Sequence, residues 1–386
     1  MPWPPVRPAS GVPVAKSAAR SQRGQFRLLI AGGGTGGHLF PGLAIAEAFK
    51  RRLPQCEVRF AGSAYGIEAT VIPARGYRLY CLPVRGLYRV PLRRKVWVVA
   101  MLPIALLKAA MVMLTYRPRL VIGVGGYASG PMLLMAVLLR ATTAIQEQNA
   151  VPGLTNRLLG RLVDRAFVPL PGMERHFPRR QVVGTPVRRE ILALREAPPR
   201  PRPVPVLFVF GGSQGAHKLN EAMTAALPQL EAWGGALEIL HQTGPLDCEW
   251  VERCYRGCSI PHRVVPFVED MAGALASSRL VVSRAGASAV TEIVTARRAS
   301  LLIPIPGTSG EHQLMNARRV AEAGAGILLE QAALSGEVLA GRVIGLLGDL
   351  PTLDRMEERC DTLFQGDSAA RIVESGLEMV GMAQDG

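Results

Sequence analysis

The stretch Phe26-Arg27-Leu28-Leu29-Ile30-Ala31-Gly32-Gly33-Gly34-Thr35-Gly36-Gly37-His38 decides the fold. A short apolar run ends in a cluster of glycines. From Leu39 to Arg52 the apolar residues Leu43, Ala44, Ala46, Ala48 and Phe49 then recur at helical spacing. Val58-Arg59-Phe60-Ala61 reads as the next strand. Strand, glycine loop, helix, strand is the opening of a doubly wound α/β domain.

The same grammar recurs outward from this unit. Leu120-Val121-Ile122-Gly123-Val124 runs into Gly125-Gly126-Tyr127, with Pro131 opening an apolar helix. Ala144-Ile145 leads into Gln146-Glu147-Gln148-Asn149, and Ala166-Phe167-Val168 is a further strand. Residues 197–205 hold five prolines and read as a stiff linker. Val206-Leu207-Phe208-Val209-Phe210 then restarts the device, running into Gly211-Gly212-Ser213-Gln214-Gly215 and a helix from about Lys218. Further strands are expected at Leu237–Leu240, Val264–Phe267, Leu280–Ser283 and Leu301–Pro304. The expected division is a first domain over 26–196, a second over 206–365, and a terminal helix over 366–386 that crosses back to the first.

A chain of 386 residues with 48% hydrophobic side chains can bury two cores of this size. The formal charge of +15 raises nucleic acid, anionic lipid and anionic small molecules as partners. Arginine is scattered and aromatics make up only 5%, so the stacking platforms of a single-strand binder are missing and nucleic acid is not expected. The six cysteines show no CxxC and no zinc spacing, which suits reduced thiols. Residues 1–25 are Pro-rich and basic without the apolar centre of a signal peptide, and read as a disordered tail.

The loop Gly32–Gly37 formally satisfies GxGxxG. A dinucleotide site also needs an acidic residue at the end of the second strand, where this chain has Ala61-Gly62-Ser63. A nicotinamide-dependent oxidoreductase is therefore the disfavoured alternative. The loop does offer bare N–H groups at a helix start, a place for a diphosphate, and Gly211–Gly215 offers a second. Two such sites facing one cleft suit two reactants that each carry a diphosphate.

Several motifs occur in order: Gly33–His38 with Pro41, Gly125–Pro131, Glu147-Gln148-Asn149, Gly184-Thr185-Pro186-Val187-Arg188, Gly211–Gly215, Ser283–Ala287 with Glu292, then His312-Gln313 and Asn316. Together they resemble the MurG family of N-acetylglucosaminyltransferases, over about residues 26 to 375. The resemblance implies a GT-B fold, two doubly wound Rossmann-like α/β domains facing a cleft. It implies transfer of N-acetylglucosamine from UDP-GlcNAc to the C4 hydroxyl of a lipid-linked muramyl-pentapeptide with inversion. The work would be done at the cytoplasmic face of the membrane, with no cofactor and no metal; the chain contains no Asp-x-Asp. An anionic membrane surface and other cell-wall synthesis proteins are the further partners it implies.

By matching position, the resemblance gives the donor Thr35, Gly36, Gly37, Asn149, Arg188, Ser213, Val268, Glu292, His312 and Gln313. Ser213 and Arg188 would meet the diphosphate, Val268 the uracil edge, Glu292 the ribose, and His312, Gln313 and Asn149 the sugar. Gly33, Gly34, Tyr127 and Glu147 would serve the acceptor. A neutral imidazole at His38 would be the general base, the alternative being a helix cap. Three positions depart from the family: Gln146 where a His is common, Glu311 for Asp, and Ala289 for a hydroxyl residue. A transferase acting on another glycolipid and a catalytically silent binder also stay open.

Residues 96–114 (VWVVAMLPIALLKAAMVML) are nearly long enough to span a bilayer. Pro103 and Lys108 interrupt them, and Arg93-Arg94-Lys95 precede them. The expected arrangement is a helix packed inward whose basic, apolar start, Leu87 to Trp97, lies in the lipid interface; a core helix ranks second and a span third.

Overall fold

A computed structural model describes residues 25–84, 100–196, 204–307 and 311–382. Most of the N-terminal tail, most of the Pro-rich linker and the Leu87–Trp97 segment therefore lie outside the described residues.

The first sheet is built from β1 (Arg27–Gly32), β2 (Glu57–Ser63), β3 (Arg78–Leu82), β4 (Leu120–Gly125), β5 (Thr142–Gln146), β6 (Arg165–Val168) and β7 (Arg180–Val182). Its order is β3-β2-β1-β4-β5-β6-β7, with every pairing parallel. The second sheet holds β8 (Val206–Phe210), β9 (Glu238–Gln242), β10 (His262–Val265), β11 (Ser278–Ser283), β12 (Ala299–Leu302) and β13 (Gly326–Leu328). Its order is β10-β9-β8-β11-β12-β13, again all parallel.

Alternation along the strands explains why helices cover both faces. Leu28, Ile30, Leu120 and Ile122 point into one core with Phe49 of the helix Gly36–Arg52. Leu29, Ala31, Val121 and Ile145 point into the other, against the helices Leu102–Tyr116 and Ser129–Leu138. The second sheet repeats the scheme. Leu207, Val209 and Val282 face the helix His217–Trp233, and Phe208, Phe210 and Val281 face the helices Met271–Ser277 and Ala287–Thr295.

The last helix, Ser368–Met379, belongs spatially to the first sheet. Ile372, Val373 and Leu377 enter the core beside Phe49, and Arg52 pairs with Glu374 at 2.9 Å. Arg165 reaches Ser375 and Glu378, at 2.6 and 2.8 Å.

Several strands begin earlier than the apolar pattern alone indicates, among them β5 at Thr142 and β11 at Ser278. β10 starts at His262 and β12 at Ala299, because ladder bonds to already formed neighbours recruit polar residues. The edge strands β3, β7 and β13 carry no clear alternation, and pairing on one side is what makes them strands.

The helix within the 96–114 stretch is Leu102–Tyr116. Ala105, Ala109, Val112, Met113 and Tyr116 are buried, while Leu102, Ile104, Leu107, Met111 and Leu114 are exposed. Among the described residues no helix is long and apolar enough to cross a membrane.

Candidate active site

In each sheet the strand order reverses once, between β1 and β4 and between β8 and β11. At such a point the loops leaving two neighbouring strands diverge and open a crevice at the strands' carboxyl ends. The loops there are 33–35 with 126–128 in the first domain, and 211–216 with 284–286 in the second.

The two crevices meet. The Gly36 N–H donates to Ser213 Oγ at 3.3 Å, and Ser288 Oγ donates to the Gly37 carbonyl at 2.9 Å. The start of the first-domain helix therefore touches both glycine segments of the second domain. The resemblance assigns Gly36, Gly37 and Ser213 to one site, and the structure brings Gly36 into contact with Ser213 and Gly37 with Ser288.

His38 stands one residue further along this helix. Its Nδ1 lies 3.1 Å from Thr35 Oγ1, and its ring packs so tightly on Gly125 that a Cβ there would sit 2.6 Å from the imidazole. Desolvation lowers its pKa to about 4, so the ring is neutral at pH 7. Thr35 ties the Nδ1 side, which leaves Nε2 as the atom that can take a proton when Nδ1 carries the hydrogen.

Gly33 and Gly34 are differently placed. The Gly33 N–H donates to the Gly125 carbonyl at 3.3 Å, and the Gly34 N–H donates to Glu68 Oε2 at 2.7 Å. Glu68 also accepts from the Ser63 N–H at 2.9 Å and is 1% exposed. The glycine loop is thus strapped to a buried carboxylate from below, and the groups free to meet a ligand lie further on, toward Thr35 and Gly37. Sequence reading missed Glu68. Its signal is a crowd of glycines: a Cβ at Gly33, Gly62 or Gly66 would come within 2.7 Å of its side chain. A carboxylate does therefore stand near the end of β2, but both of its oxygens hold main-chain N–H groups and neither is offered to a ribose.

Glu147 is likewise an organiser. Its Oε1 accepts from the Gln148 N–H, the Asn149 N–H and Asn149 Nδ2, and its Oε2 from the Gly153 N–H and Asn156 Nδ2, all within 3.0 Å. Burial pushes its pKa up and these donors pull it back. The carboxylate holds Asn149 in position at the end of β5. Tyr127, beside Gly126, is exposed toward solvent. Gln146 is fully buried, and among the described residues its amide has no partner.

In the second domain Glu292 and Arg188 form a buried fork: Arg188 Nε and Nη2 donate to Glu292 Oε1 at 3.1 and 2.9 Å. The guanidinium also lies 4.4 Å from the centre of the Phe40 ring. Burial raises the Glu292 carboxyl and Arg188 opposes the rise. Glu292 Oε2 is the oxygen this arrangement leaves for a ligand. The Val268 N–H donates to Gln242 Oε1 at 3.1 Å, and Gln313 Oε1 accepts from the Ile305 N–H at 3.0 Å. His312 begins the helix His312–Glu322, and Asn316 Nδ2 holds the Ala285 carbonyl at 3.0 Å.

Two facing α/β domains with paired glycine loops at their cleft make up the GT-B architecture. Residues 28–168 match the glycosyltransferase family 28 N-terminal domain, and residues 206–372 the family 28 C-terminal domain. A curated relative from Anaeromyxobacter dehalogenans is named UDP-N-acetylglucosamine--N-acetylmuramyl-(pentapeptide) pyrophosphoryl-undecaprenol N-acetylglucosamine transferase. It is 42% identical over 92% of this chain and 93% of its own. One of the same name from Syntrophus aciditrophicus is 41% identical over 92% and 99%. A crystal structure of MurG from Acinetobacter baumannii superposes with a TM-score of 0.70 at 30% identity, covering 92% of this chain and 99% of that one. The chain belongs to the MurG family of hexosyltransferases.

Proposed function

We propose that the protein transfers N-acetylglucosamine from UDP-GlcNAc to the C4 hydroxyl of undecaprenyl-diphospho-N-acetylmuramyl-pentapeptide, converting lipid I to lipid II in peptidoglycan synthesis. The observation that carries this is the likeness, over nine-tenths of the chain, to relatives named for that reaction.

The acceptor oxygen attacks the anomeric carbon from the face opposite UDP, the bond from that carbon to the diphosphate breaks, and the configuration inverts. His38 Nε2 takes the proton from the attacking hydroxyl. The neutral state of the ring supports this role, and Thr35 orients it. Charge developing on the departing diphosphate is met by Ser213, the main chain of 211–215 and the N-terminus of the helix Ala287–Thr295, without a metal. Glu292 takes the ribose hydroxyls through Oε2, with Arg188 as its orienter first and a diphosphate ligand second. Val268 serves the base, and His312, Gln313 and Asn149 the sugar. Thr35, Gly36 and Gly37 serve the donor and also cradle the acceptor diphosphate, beside Tyr127, with Gly33, Gly34 and Glu147 shaping the walls. The Gly36 N–H takes only a lone pair of Ser213 Oγ, so the hydroxyl hydrogen stays free to donate to the donor's diphosphate.

The enzyme works peripherally at the cytoplasmic face of the membrane. The exposed apolar face of the helix Leu102–Tyr116 supports docking on anionic lipid.

The test uses purified protein, labelled UDP-GlcNAc and a short-chain muramyl-pentapeptide lipid in EDTA. Label in the lipid establishes donor, acceptor and metal independence together. Transfer that needs an added divalent ion overturns the metal-free step. Loss of both transfer and UDP-GlcNAc binding overturns the whole assignment.

A further inference from the structure

β9 lies between β8 and β10, and its last residue, Gln242, is paired with Phe210 on one side and Val265 on the other. Phe210 leads directly into the 211–215 loop, and Val265 leads into the segment that carries Val268. Gln242 thus stands where the two loops leave the sheet, and its side chain reaches both. Nε2 donates to the Gly212 carbonyl at 2.9 Å, and Oε1 accepts from the Val268 N–H at 3.1 Å. The side chain is 1% exposed, so neither bond is shared with water.

Its surroundings leave it no freedom to swing. The Gly212 carbonyl also accepts from the Gly215 N–H at 2.9 Å, closing the loop on itself. Thr243 Oγ1 reaches the Gly244 and Val265 carbonyls, and Asn220 Nδ2 holds the Thr243 carbonyl at 2.9 Å. Gly215 packs so closely here that a Cβ on it would lie 2.0 Å from the Thr243 carbonyl oxygen.

We infer that Gln242 is a positioning residue that sets the spacing between the diphosphate loop and the nucleobase loop of the donor site. This rests on the donor assignment above. A ligand occupying both loops gains affinity when their separation is fixed beforehand, because the cost of ordering them is not charged to binding. A ligand that touches only one loop is indifferent to the spacing. Gln242 touches neither the donor nor the reacting atoms, and acts only through the two loops.

The experiment compares the full chain with Gln242→Met, which keeps the volume and removes both hydrogen bonds, and Gln242→Glu, which keeps only the acceptor for the Val268 N–H. UDP, uridine and inorganic pyrophosphate are measured as competitors of UDP-GlcNAc. In Gln242→Met, UDP weakens and the KM for UDP-GlcNAc rises by roughly tenfold, the worth of two modest hydrogen bonds. Uridine and pyrophosphate change less than about twofold, and kcat at saturating donor stays within about twofold. Gln242→Glu falls between the two. Equal weakening of all three ligands, or a fall in kcat with KM unchanged, overturns the inference in favour of a merely structural role. Unchanged UDP affinity in Gln242→Met overturns it while leaving the donor site standing. A parent protein that does not bind UDP removes the donor assignment itself.

Discussion

At the scale of single residues, chemistry and scaffolding divide between neighbours. His38 was legible because imidazole beside a glycine loop is a recognisable proton acceptor. Its neutrality was expected as well, but the cause, burial of a ring packed on Gly125, 87 positions away in sequence, was not legible. His38→Ala is expected to lower kcat by about 10²- to 10⁴-fold while leaving UDP binding unchanged, as removal of a general base does. The sign of the pH dependence follows from the same burial. A base must be deprotonated, so the acid limb of kcat/KM in the parent should fall as pH drops toward about 4, well below an ordinary histidine at 6.5. A pH–rate series checks this; a limb near 6.5, or a variant with near-normal turnover, removes His38 from the role. Glu292 and Arg188 were both legible as ligands. Their mutual fork was not, because the partners lie 104 residues apart. Glu147 was read as facing the acceptor, whereas five donors turn it inward on its own loop.

At the scale of elements, the aliphatic central strands could be read directly, since burial on both faces demands continuous apolar runs. β3, with Arg78 and Tyr80 in it, and the three-residue β7 and β13 could not, because their identity comes from the neighbour they pair with. The glycine loop shows the same limit. Its glycines were read as a place for a diphosphate; Gly33 among them also makes room for the Glu68 side chain, as do Gly62 and Gly66 outside the loop. Gly62 has no positive φ, so its requirement is steric alone: a Cβ there would lie 2.7 Å from Glu68 Cγ and 3.3 Å from the Gly32 carbonyl oxygen. Gly62→Ala should destabilise the protein by roughly 1–3 kcal/mol, the usual cost of overpacking a tight core. Glu68→Ala should also destabilise, by leaving the Gly34 and Ser63 N–H groups without acceptors. Truncating Glu68 removes the atoms that the methyl group added at position 62 would strike, so the double variant should lose less than the sum of the two. Urea unfolding of the four proteins measures the coupling, and strict additivity would exclude the contact.

At the scale of the whole molecule, the last helix returns to the first sheet, and Ser213 and Ser288 bridge the cleft. One side of the first domain remains unaccounted for by any of this. Leu107, Met111 and Leu114 of the helix Leu102–Tyr116 stand 66%, 61% and 59% exposed, at spacings that keep them on one face, opposite the buried Ala105, Ala109 and Val112. Leu138 at the end of the neighbouring helix is 63% exposed, and Lys108 and Arg140 stand among these side chains in the sequence. Solvated helix faces are ordinarily polar, and a contiguous apolar face of this kind is costly unless something covers it. The acceptor role proposed for the first domain would bring it to a bilayer, and side chains of this size gain about 1.5–3 kcal/mol each when fully buried. Partial burial of four of them, with basic groups near anionic headgroups, is enough for reversible docking without a span. The doubly substituted Leu107→Glu, Met111→Glu protein should therefore lose most of its cosedimentation with phosphatidylglycerol vesicles. It should keep UDP binding and turnover of a short-chain, water-soluble acceptor. Charge alone cannot mimic that result if Leu107→Ser, Met111→Ser, which adds none, shows the same direction of loss. Unaltered sedimentation in both variants would mean that this face is not what meets the lipid, and that docking rests on another part of the chain.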